Sequence, residues 1–386
     1  MKKLKVLHMT THLNVGGITT YILLLARAMD RNQCEIAVLS SGGNVTSKFQ
    51  ELGMRTHELS IKTKSELSPK IYCAIPKIVE LIRKEGFDLI HAHTRITQVM
   101  AWLIQKLTGI PFVTTCHGFY KKRLGRRLLS AWGDQVIAIS VPVEDDLVTN
   151  FHVPRNRVST IFNAIDIEDL ENRANKQNKS AISKEWNLEA HSPIFGIVAR
   201  IVADKGHEYL VRAFLSLLQK RCPNAKLLIV GEGPYKQKVV DLVHQLGLDA
   251  AVTFVGNLSD VTKALVMIDV FVLPAIWREG FGLSIVEAMA LKKPVIVTNI
   301  WALNALVHHK QNGLLIPPKN VGELANAMNE LVENKSLADH VGKNGYETVK
   351  KEFSIDRMVS EMTNLYQKVA QNRLVSVSDS IQLTSI

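Results

Sequence analysis

Short apolar runs rich in β-branched residues alternate with helical patterns through the first half of the chain. The apolar runs predict strands at 4–9, 34–40, 55–59, 87–92, 111–115, 135–139 and 157–161. Apolar residues at helical spacing predict helices at about 17–30, 70–85, 95–108, 124–133 and 141–151. This alternation is typical of a doubly wound, mainly parallel α/β sheet, which binds its ligands beyond the carboxyl ends of the strands.

A second alternation follows a polar stretch. Residues 168–192 lose the apolar periodicity, so a domain boundary is expected there. Further strands are predicted at 194–199, 226–230, 251–255, 269–273, 294–298 and 314–316. The sequence therefore predicts two Rossmann-like domains facing each other across a cleft, at 1–188 (with a linker at 168–188) and 189–354. A last helical pattern covers 355–373, and the Ser-rich residues 374–386 are expected to form a flexible tail.

Length and composition agree with this architecture. A chain of 386 residues is too long for one ordinary core, and 46% hydrophobic with 22% charged residues is typical of a globular protein. No apolar run approaches the roughly 20 residues of a membrane span, and the basic start lacks the apolar stretch of a signal peptide. The four cysteines are scattered without a CxxC pair, which favours a cytoplasmic location and argues against a structural zinc.

The positive charge lies mainly in the first half. Residues 1–188 hold 26 Lys and Arg against 17 Asp and Glu, a net +9, whereas the rest of the chain has 21 against 19, a net +2. The segment 121–127 is the most basic, with cations at Lys121, Lys122, Arg123, Arg126 and Arg127. Such charge favours a phosphorylated substrate or an anionic membrane surface, although a solvated basic helix face is an equally simple interpretation.

One stretch concentrates candidate chemistry, from Glu279 to Glu287. Gly280 and Gly282 frame Phe281 in a predicted loop, and Leu283 begins an apolar helix that carries Glu287. Glycines let a backbone approach a ligand closely, and the free amides of a helix start suit anionic or hydroxyl oxygens. A Gly-rich turn into a core helix would give the same pattern, and both interpretations stay open on the residues alone.

Other candidates follow predicted strands. Gly16–Gly17 opens the first helix, and His117 follows the strand at 111–115; of the histidines at 91 and 93 that end the preceding strand, His91 is expected to be structural. Arg200 and Lys205 flank one strand-to-helix loop and form a potential clamp for a pyrophosphate. Gly231 and Gly233 follow another strand. The sequence has no GxGxxG fingerprint, Walker A motif, DxD triplet or GxSxG elbow.

Together these motifs resemble the retaining glycosyltransferases of family 4, which have the GT-B fold, over about residues 5–370. The stretch from Glu279 to Glu287 is similar to the family's E-x7-E motif, and the GG, HG, R…KG and GEGP elements occur in the same order. The resemblance implies that the helix at 355–373 packs back on the first domain.

The resemblance also implies roles. Glu287 would accept hydrogen bonds from the ribose hydroxyls of the donor. Glu279 would hold hydroxyls of the donor sugar, together with the amides of Phe281, Gly282 and Leu283. Arg200, Lys205 and the amides of Gly16 or Gly17 would neutralise the diphosphate, and His117 would hydrogen-bond the transferred sugar. The nucleoside pocket would be lined by the two loops that contain Gly231, Gly233, Val255 and Gly256.

The expected reaction is metal-independent transfer of a sugar, with retention, from a nucleotide-diphosphate sugar to a glycan or lipid-linked acceptor. No cofactor is expected. Surface-polysaccharide or lipopolysaccharide synthesis is the expected setting, with a peripheral contact at the inner face of the cytoplasmic membrane through the 121–127 segment and no nucleic-acid partner. Two alternatives stay open: a nucleotide-sugar 2-epimerase of the same fold and a non-catalytic GT-B partner subunit.

Overall fold

The computed structural model describes residues 3–63, 65–120, 126, 129–189 and 192–383, with side chains described as far as residue 372. The chain divides into two compact units. Unit 1 comprises residues 1–163 and 355–386, and unit 2 comprises residues 164–354.

Unit 1 is built on a seven-stranded sheet in the order β3-β2-β1-β4-β5-β6-β7. Its strands are β1 (Leu4–Met9), β2 (Cys34–Ser40), β3 (Arg55–Glu58), β4 (Leu89–Ala92), β5 (Phe112–Cys116), β6 (Gln135–Ala138) and β7 (Val158–Thr160). The helices that connect them are α1 (Gly17–Ala28), α2 (Thr46–Glu51), α3 (Pro69–Glu85), α4 (Arg95–Thr108) and α5 (Val141–Phe151). All paired strands run parallel, so their carboxyl ends and the loops that follow share one edge.

Unit 2 repeats the plan with a six-stranded parallel sheet in the order β10-β9-β8-β11-β12-β13. Its strands are β8 (Ile194–Val198), β9 (Lys226–Val230), β10 (Val252–Val255), β11 (Val270–Leu273), β12 (Val295–Thr298) and β13 (Leu314–Ile316). Its helices are α6 (Ile167–Asn175), α7 (Lys179–Glu185), α8 (His207–Lys220), α9 (Lys236–Gln245), α10 (Thr262–Leu265), α11 (Leu283–Ala290), α12 (Leu303–Leu306), α13 (Val321–Glu333) and α14 (Lys335–Glu352). The prediction of two doubly wound parallel sheets is confirmed.

The predicted boundary after residue 188 is wrong, because the units divide after Asn163. The polar stretch taken for a linker forms α6 and α7, which Asp166 and Asn178 cap through their side chains. Both helices belong to unit 2, where Arg173 pairs with Asp260 at 2.5 Å. Most of the surface of both helices faces water, so their residues are mainly polar. The few apolar residues left did not show a clear helical period.

Two helix predictions also need correction. Residue 126 is helical, but 129–133 of the predicted helix at 124–133 are not, and the rest of that segment lies outside the described residues. The final helix, α15 (Ile355–Leu383), continues past residue 373, so a flexible tail from 374 is wrong as far as 383. No Gly or Pro interrupts residues 374–383, and Ser alone does not end a helix.

The prediction that the last helix packs on the first domain is confirmed. Helix α15 belongs to unit 1 and contacts α1. Thr363 of α15 donates a hydrogen bond to the Met29 sulfur at 3.1 Å, and Tyr366 is fully buried. Among the helices of the described ranges, none combines the length and apolar character that crossing a lipid bilayer requires.

Candidate functional site

The loop after β8 carries two of the predicted cations. Arg200 is exposed, and Lys205 ends a 3₁₀ turn at Ala203–Lys205. Gly206 follows at φ 74°, and a Cβ there would lie 1.9 Å from the carbonyl oxygen of Pro274. The amide of Ile276 also donates to the Asp204 carbonyl at 2.9 Å. Only glycine permits this approach, which fixes the Lys205 turn against the loop after β11.

That approach brings Lys205 to Glu279. The Lys205 ammonium donates to Glu279 Oε2 in a salt bridge whose side chains are only 23% and 15% exposed. The sequence predicted both residues as ligand contacts but did not predict that they touch. An ammonium has three donors, so Lys205 can hold Glu279 and still donate to an anionic oxygen. The contact therefore places one cation and one carboxylate side by side at the carboxyl edge of the unit 2 sheet.

Helix α11 begins beside this pair. Its N-cap is Gly282 at φ 92°, where an L side chain would be strained, and no side chain caps this helix end. Phe281 is buried and packs edge-to-face on Phe353 at 5.5 Å, which anchors the loop. The amides from Phe281 to Leu283 keep the predicted position, while the Phe281 ring belongs to the core. An uncapped helix start offers donors and positive potential to oxygen ligands.

Glu287 lies one turn into α11, in a partly buried position. Burial is the main cause that raises the pKa of Glu287 to about 7. The nearby Arg173 cation lowers this pKa, and the Asp260 carboxylate raises it further. Arg173 comes from α6, which packs on α11, and it also pairs with Asp169 at 2.8 Å. Sequence reasoning missed Arg173 and Asp260. Their signal was the cap Asp166 followed by three apolar residues at helical spacing, which marks a helix in the supposed linker.

The predicted nucleoside loops lie next to the Arg200 loop. The Gly231 amide donates to the Val255 carbonyl at 2.9 Å, and the Ile201 amide donates to the Glu232 carbonyl at 3.0 Å. A Cβ on Gly231 would lie 2.1 Å from the Ala199 oxygen, and one on Gly233 equally close to the Ile201 oxygen. Gly256 follows Val255 in the chain, and a Cβ on Gly256 would lie 3.2 Å from Glu232 Oε1. Unit 2 thus brings the loops after β8, β9, β10 and β11 to one sheet edge, with Glu287 farther along α11.

In unit 1, Gly16 and Gly17 open α1. Both are exposed, and no side chain caps the helix start. The preceding turn is held by residues 42–45: a Cβ on Gly43 would lie 2.2 Å from Leu13, and Asn44 Oδ1 accepts from the Val15 amide at 3.0 Å. Added Cβ atoms at Gly16 and Gly17 would meet nothing closer than 4.0 Å. The loop is therefore fixed, with open space beside both glycines, and their contact with a ligand stays a prediction.

His117 follows β5 in the same unit. Its Nε2 lies 3.1 Å from His93 Nδ1, and its ring packs edge-to-face on Tyr21 at 4.8 Å. Burial lowers the pKa of His117 to about 3, so the imidazole is neutral at physiological pH. A neutral ring offers one donor and one acceptor, which suits a sugar hydroxyl. His91 is fully buried with both ring nitrogens paired, in agreement with its expected structural role.

The basic segment gives a mixed result. Lys121, Lys122, Arg123 and Arg127 lie outside the described residues. Arg126 is 8% exposed, with its guanidinium 3.7 Å from the Tyr120 ring centroid and 5.4 Å from that of Trp132. The prediction that Arg126 contacts a membrane is therefore wrong, because its guanidinium is buried and stacks on aromatic rings.

Two family models match the chain. Residues 15–169 match "Glycosyltransferase Family 4", and residues 178–348 match "Glycosyl transferases group 1". The chain is a family 4 glycosyltransferase. This glycosyltransferase is 24% identical over 385 residues to the UDP-Gal:alpha-D-GlcNAc-diphosphoundecaprenol alpha-1,3-galactosyltransferase of Escherichia coli, with 96% of this chain and 98% of the relative covered.

Solved structures share the fold of this family 4 glycosyltransferase. A glycosyltransferase from Rickettsia africae superposes with a TM-score of 0.85 at 22% identity, covering 96% of this chain and all of that one. HepE from Anabaena, in complex with UDP and glucose, superposes with a TM-score of 0.80 at 20% identity, covering 95% and 100%. Both the enzyme class and the GT-B fold expected from the motifs are confirmed.

Proposed function

We propose that this glycosyltransferase binds a nucleotide-diphosphate sugar through unit 2 and transfers the sugar with retention of anomeric configuration. The observation that carries the proposal is the salt bridge between Lys205 and Glu279 beside the uncapped start of α11. A lysine, a carboxylate and the amides of a helix start without a side-chain cap match the diphosphate and the hydroxyls of such a donor. The Anabaena structure, which holds UDP and glucose, supports a donor of this class.

The cations provide the chemistry that a departing diphosphate needs. Cleavage of the glycosidic bond builds negative charge on the leaving phosphate, and donors fixed toward that charge lower the barrier. Lys205 is oriented by Glu279, and Arg200 stands on the same loop. We assign Arg200 and Lys205 to the diphosphate, with the amides of Gly16 and Gly17 as further donors. With this counter-charge supplied by the chain, transfer proceeds without a metal.

The two carboxylates divide the rest of the donor. Glu279 accepts from the sugar hydroxyls, together with the amides of Phe281 to Leu283. Glu287 accepts from the ribose, and the loops at Gly231–Gly233 and Val255–Gly256 enclose the base. Ribose hydroxyls bind best to a carboxylate, so Arg173 helps by favouring the ionised form of Glu287. His117 hydrogen-bonds the transferred sugar.

The acceptor is a glycan or a lipid-linked sugar, bound by the basic unit 1. The support is the net charge of +9 in residues 1–188 and the lipid diphosphate named in the acceptor of the Escherichia coli relative. An anionic acceptor is attracted by such a surface. Synthesis of lipopolysaccharide or another surface polysaccharide, at the inner face of the cytoplasmic membrane, is the setting that this chemistry fits.

A donor screen tests the proposal. Purified protein is incubated with nucleotide sugars and lipid-linked or glycan acceptors, with and without a chelator, and the product linkage is read by NMR. An α-linked product from an α-linked donor, formed equally in chelator, is expected. A β-linked product refutes retention, a loss of turnover in chelator refutes metal independence, and conversion of the free donor without acceptor indicates an epimerase.

Lys205→Ala tests the site itself. Loss of the ammonium should lower kcat by roughly 10²–10³-fold, the effect of removing one charge-stabilising donor. Lys310→Ala is a matched control, because Lys310 also pairs with a glutamate, Glu330, at 2.5 Å. Equal turnover in the two variants would contradict the assignment of Lys205 to the diphosphate.

A further inference from the structure

Four histidines come together on one face of the unit 1 sheet. His8 of β1 lies opposite His91 of β4, and His93 follows two residues later on the same face. His117 follows β5, the next strand. The ring centroids of His91 and His93 are 4.1 Å apart, and those of His8 and His91 are 4.7 Å apart. The proposed function uses only His117.

Hydrogen bonds link these rings into one chain. His91 Nε2 lies 2.6 Å from Thr115 Oγ1, and His91 Nδ1 lies 2.6 Å from the Tyr366 hydroxyl. The same hydroxyl is 3.2 Å from His8 Nε2. His8 Nδ1 is 2.9 Å from His93 Nε2, and His93 Nδ1 is 3.1 Å from His117 Nε2. The order is therefore Thr115, His91, Tyr366, His8, His93, His117, and the His117 Nδ1 is its free end in this chain.

The protons in this chain cannot be placed independently. Burial lowers the pKa of His8 to about 3 and those of His91 and His93 well below 6.5, so each ring is neutral and holds one N–H. The Tyr366 hydroxyl holds one proton and serves two histidines. Each ring that accepts at one nitrogen must donate at the other. The whole chain therefore points one way, either toward His117 or toward Thr115.

A metal ion is the other ligand these rings suggest. One ligand atom from each of His8, His91 and His93 lies within 4.8 Å of the others. However, all six ring nitrogens already have a hydrogen-bond partner within unit 1. A metal would break several of these bonds and place two charges in a buried site, so the hydrogen-bonded chain accounts better for the geometry.

We propose that this chain is a relay that fixes the tautomer of His117, with Tyr366 as the positioning residue at its centre. If the chain points toward His117, Nδ1 carries the proton and donates to the sugar; if it points away, Nδ1 accepts from a sugar hydroxyl. In both cases the relay presents one state to the donor, because reversal requires every proton in the chain to move. The catalytic consequence rests on the proposed role of His117, whereas the relay itself does not.

Nitrogen NMR on the full-length chain tests the relay directly. With ¹⁵N-labelled histidine, two-bond ¹H–¹⁵N couplings show which ring nitrogen is protonated, and loss of a signal in His117→Gln assigns that residue. A single His117 tautomer is expected at pH 7. Tyr366→Phe removes the central proton, so His117 should become a mixture of tautomers. Thr115→Val, which removes the terminal hydroxyl, should do the same and serves if Tyr366→Phe does not fold.

The matched control is Thr363→Val. Thr363 is a buried residue of the same helix, one turn before Tyr366, and its hydroxyl bonds Met29 rather than the relay. This variant should leave the His117 tautomer unchanged. An unchanged tautomer in both Tyr366→Phe and Thr115→Val, or a stoichiometric metal in the purified protein, overturns the relay.

Kinetics separate the relay from the proposed function. With a turned-over donor, Tyr366→Phe should lower kcat several-fold at an unchanged donor KM, and Thr363→Val should match the parent. A changed tautomer with unchanged kcat overturns the positioning role of Tyr366. Absence of any transfer by the parent protein contradicts the proposed function, and the NMR result then still decides the relay.

Discussion

Replacing Glu287 by Gln should stabilise the protein while it weakens donor binding. The pKa of Glu287 rises from 4.5 to about 7 because the folded chain desolvates its carboxylate. The folded state therefore holds this proton up to a higher pH than the unfolded state. Stability falls as the pH rises from about 4.5 to 7 and stays lowered above it. Arg173 offsets only part of this loss.

The size of the loss follows from the two pKa values. A difference of about 2.5 pH units, at about 1.4 kcal/mol each, amounts to roughly 3 kcal/mol above pH 7. Gln has the same shape without the charge, so Glu287→Gln recovers up to that amount at pH 8. For a unit of this size, 1 kcal/mol corresponds to about 2–4 °C in Tm, which gives a rise of up to about 6–12 °C. The amide must itself be desolvated, so these values are upper limits.

The assay is thermal unfolding of parent and variant between pH 5 and pH 8, followed by circular dichroism. The Tm advantage of Glu287→Gln should be small at pH 5 and grow toward pH 8. Glu189→Gln, an exposed carboxylate of the same unit, should show no such trend. A Tm difference that is the same at both pH values would refute the desolvation argument. Donor binding by Glu287→Gln should weaken, since an amide accepts more poorly from ribose hydroxyls than a carboxylate does.

Two further predictions concern glycine and arginine positions. Gly206→Ala should destabilise unit 2 by roughly 2–5 kcal/mol, because the positive φ and the Pro274 carbonyl both oppose a Cβ. Gly247→Ala is the control: Gly247 has φ 66° but open space around it, so this change should cost about 1–2 kcal/mol. Equal losses of stability in urea unfolding would contradict the clash. Arg126→Gln should lose roughly 1–2 kcal/mol of stability through its stack on Tyr120 and leave binding to anionic vesicles unchanged, as measured by sedimentation with liposomes. Weaker vesicle binding by Arg126→Gln would contradict its burial.

Local periodicity was enough to predict most strands and the loops that follow them. Parallel strands place all their carboxyl ends at one edge, so the sequence alone predicted that Arg200, Gly231 and Gly282 would lie along the same edge. Close contacts within that edge were not predictable. The approach of Gly206 to Pro274, which brings Lys205 to Glu279, depends on how two loops pack.

Pairings over long distances in the chain were invisible from the sequence. Tyr366 and His8 are 358 residues apart, and nothing in either local pattern links them. The polar helices α6 and α7 were not predicted for a different reason. Only a narrow apolar stripe of α6 is buried, and Leu170 is its one fully buried residue. The contribution of Arg173 to the site was missed because α6 was not predicted. The strongest sequence signal came instead from the order of several weak motifs.

Unit 1 is made from the first and last segments of the chain, with unit 2 inserted between them. During synthesis on a ribosome, the seven-stranded sheet emerges long before α15. Unit 2 spans 191 residues, so at about 5–20 residues per second the sheet waits roughly 10–40 s for its last helix. Throughout that interval the sheet face that carries His8, His91 and His93 lacks Tyr366 and stays open to water and to other nascent chains. The protein thus completes its first domain last.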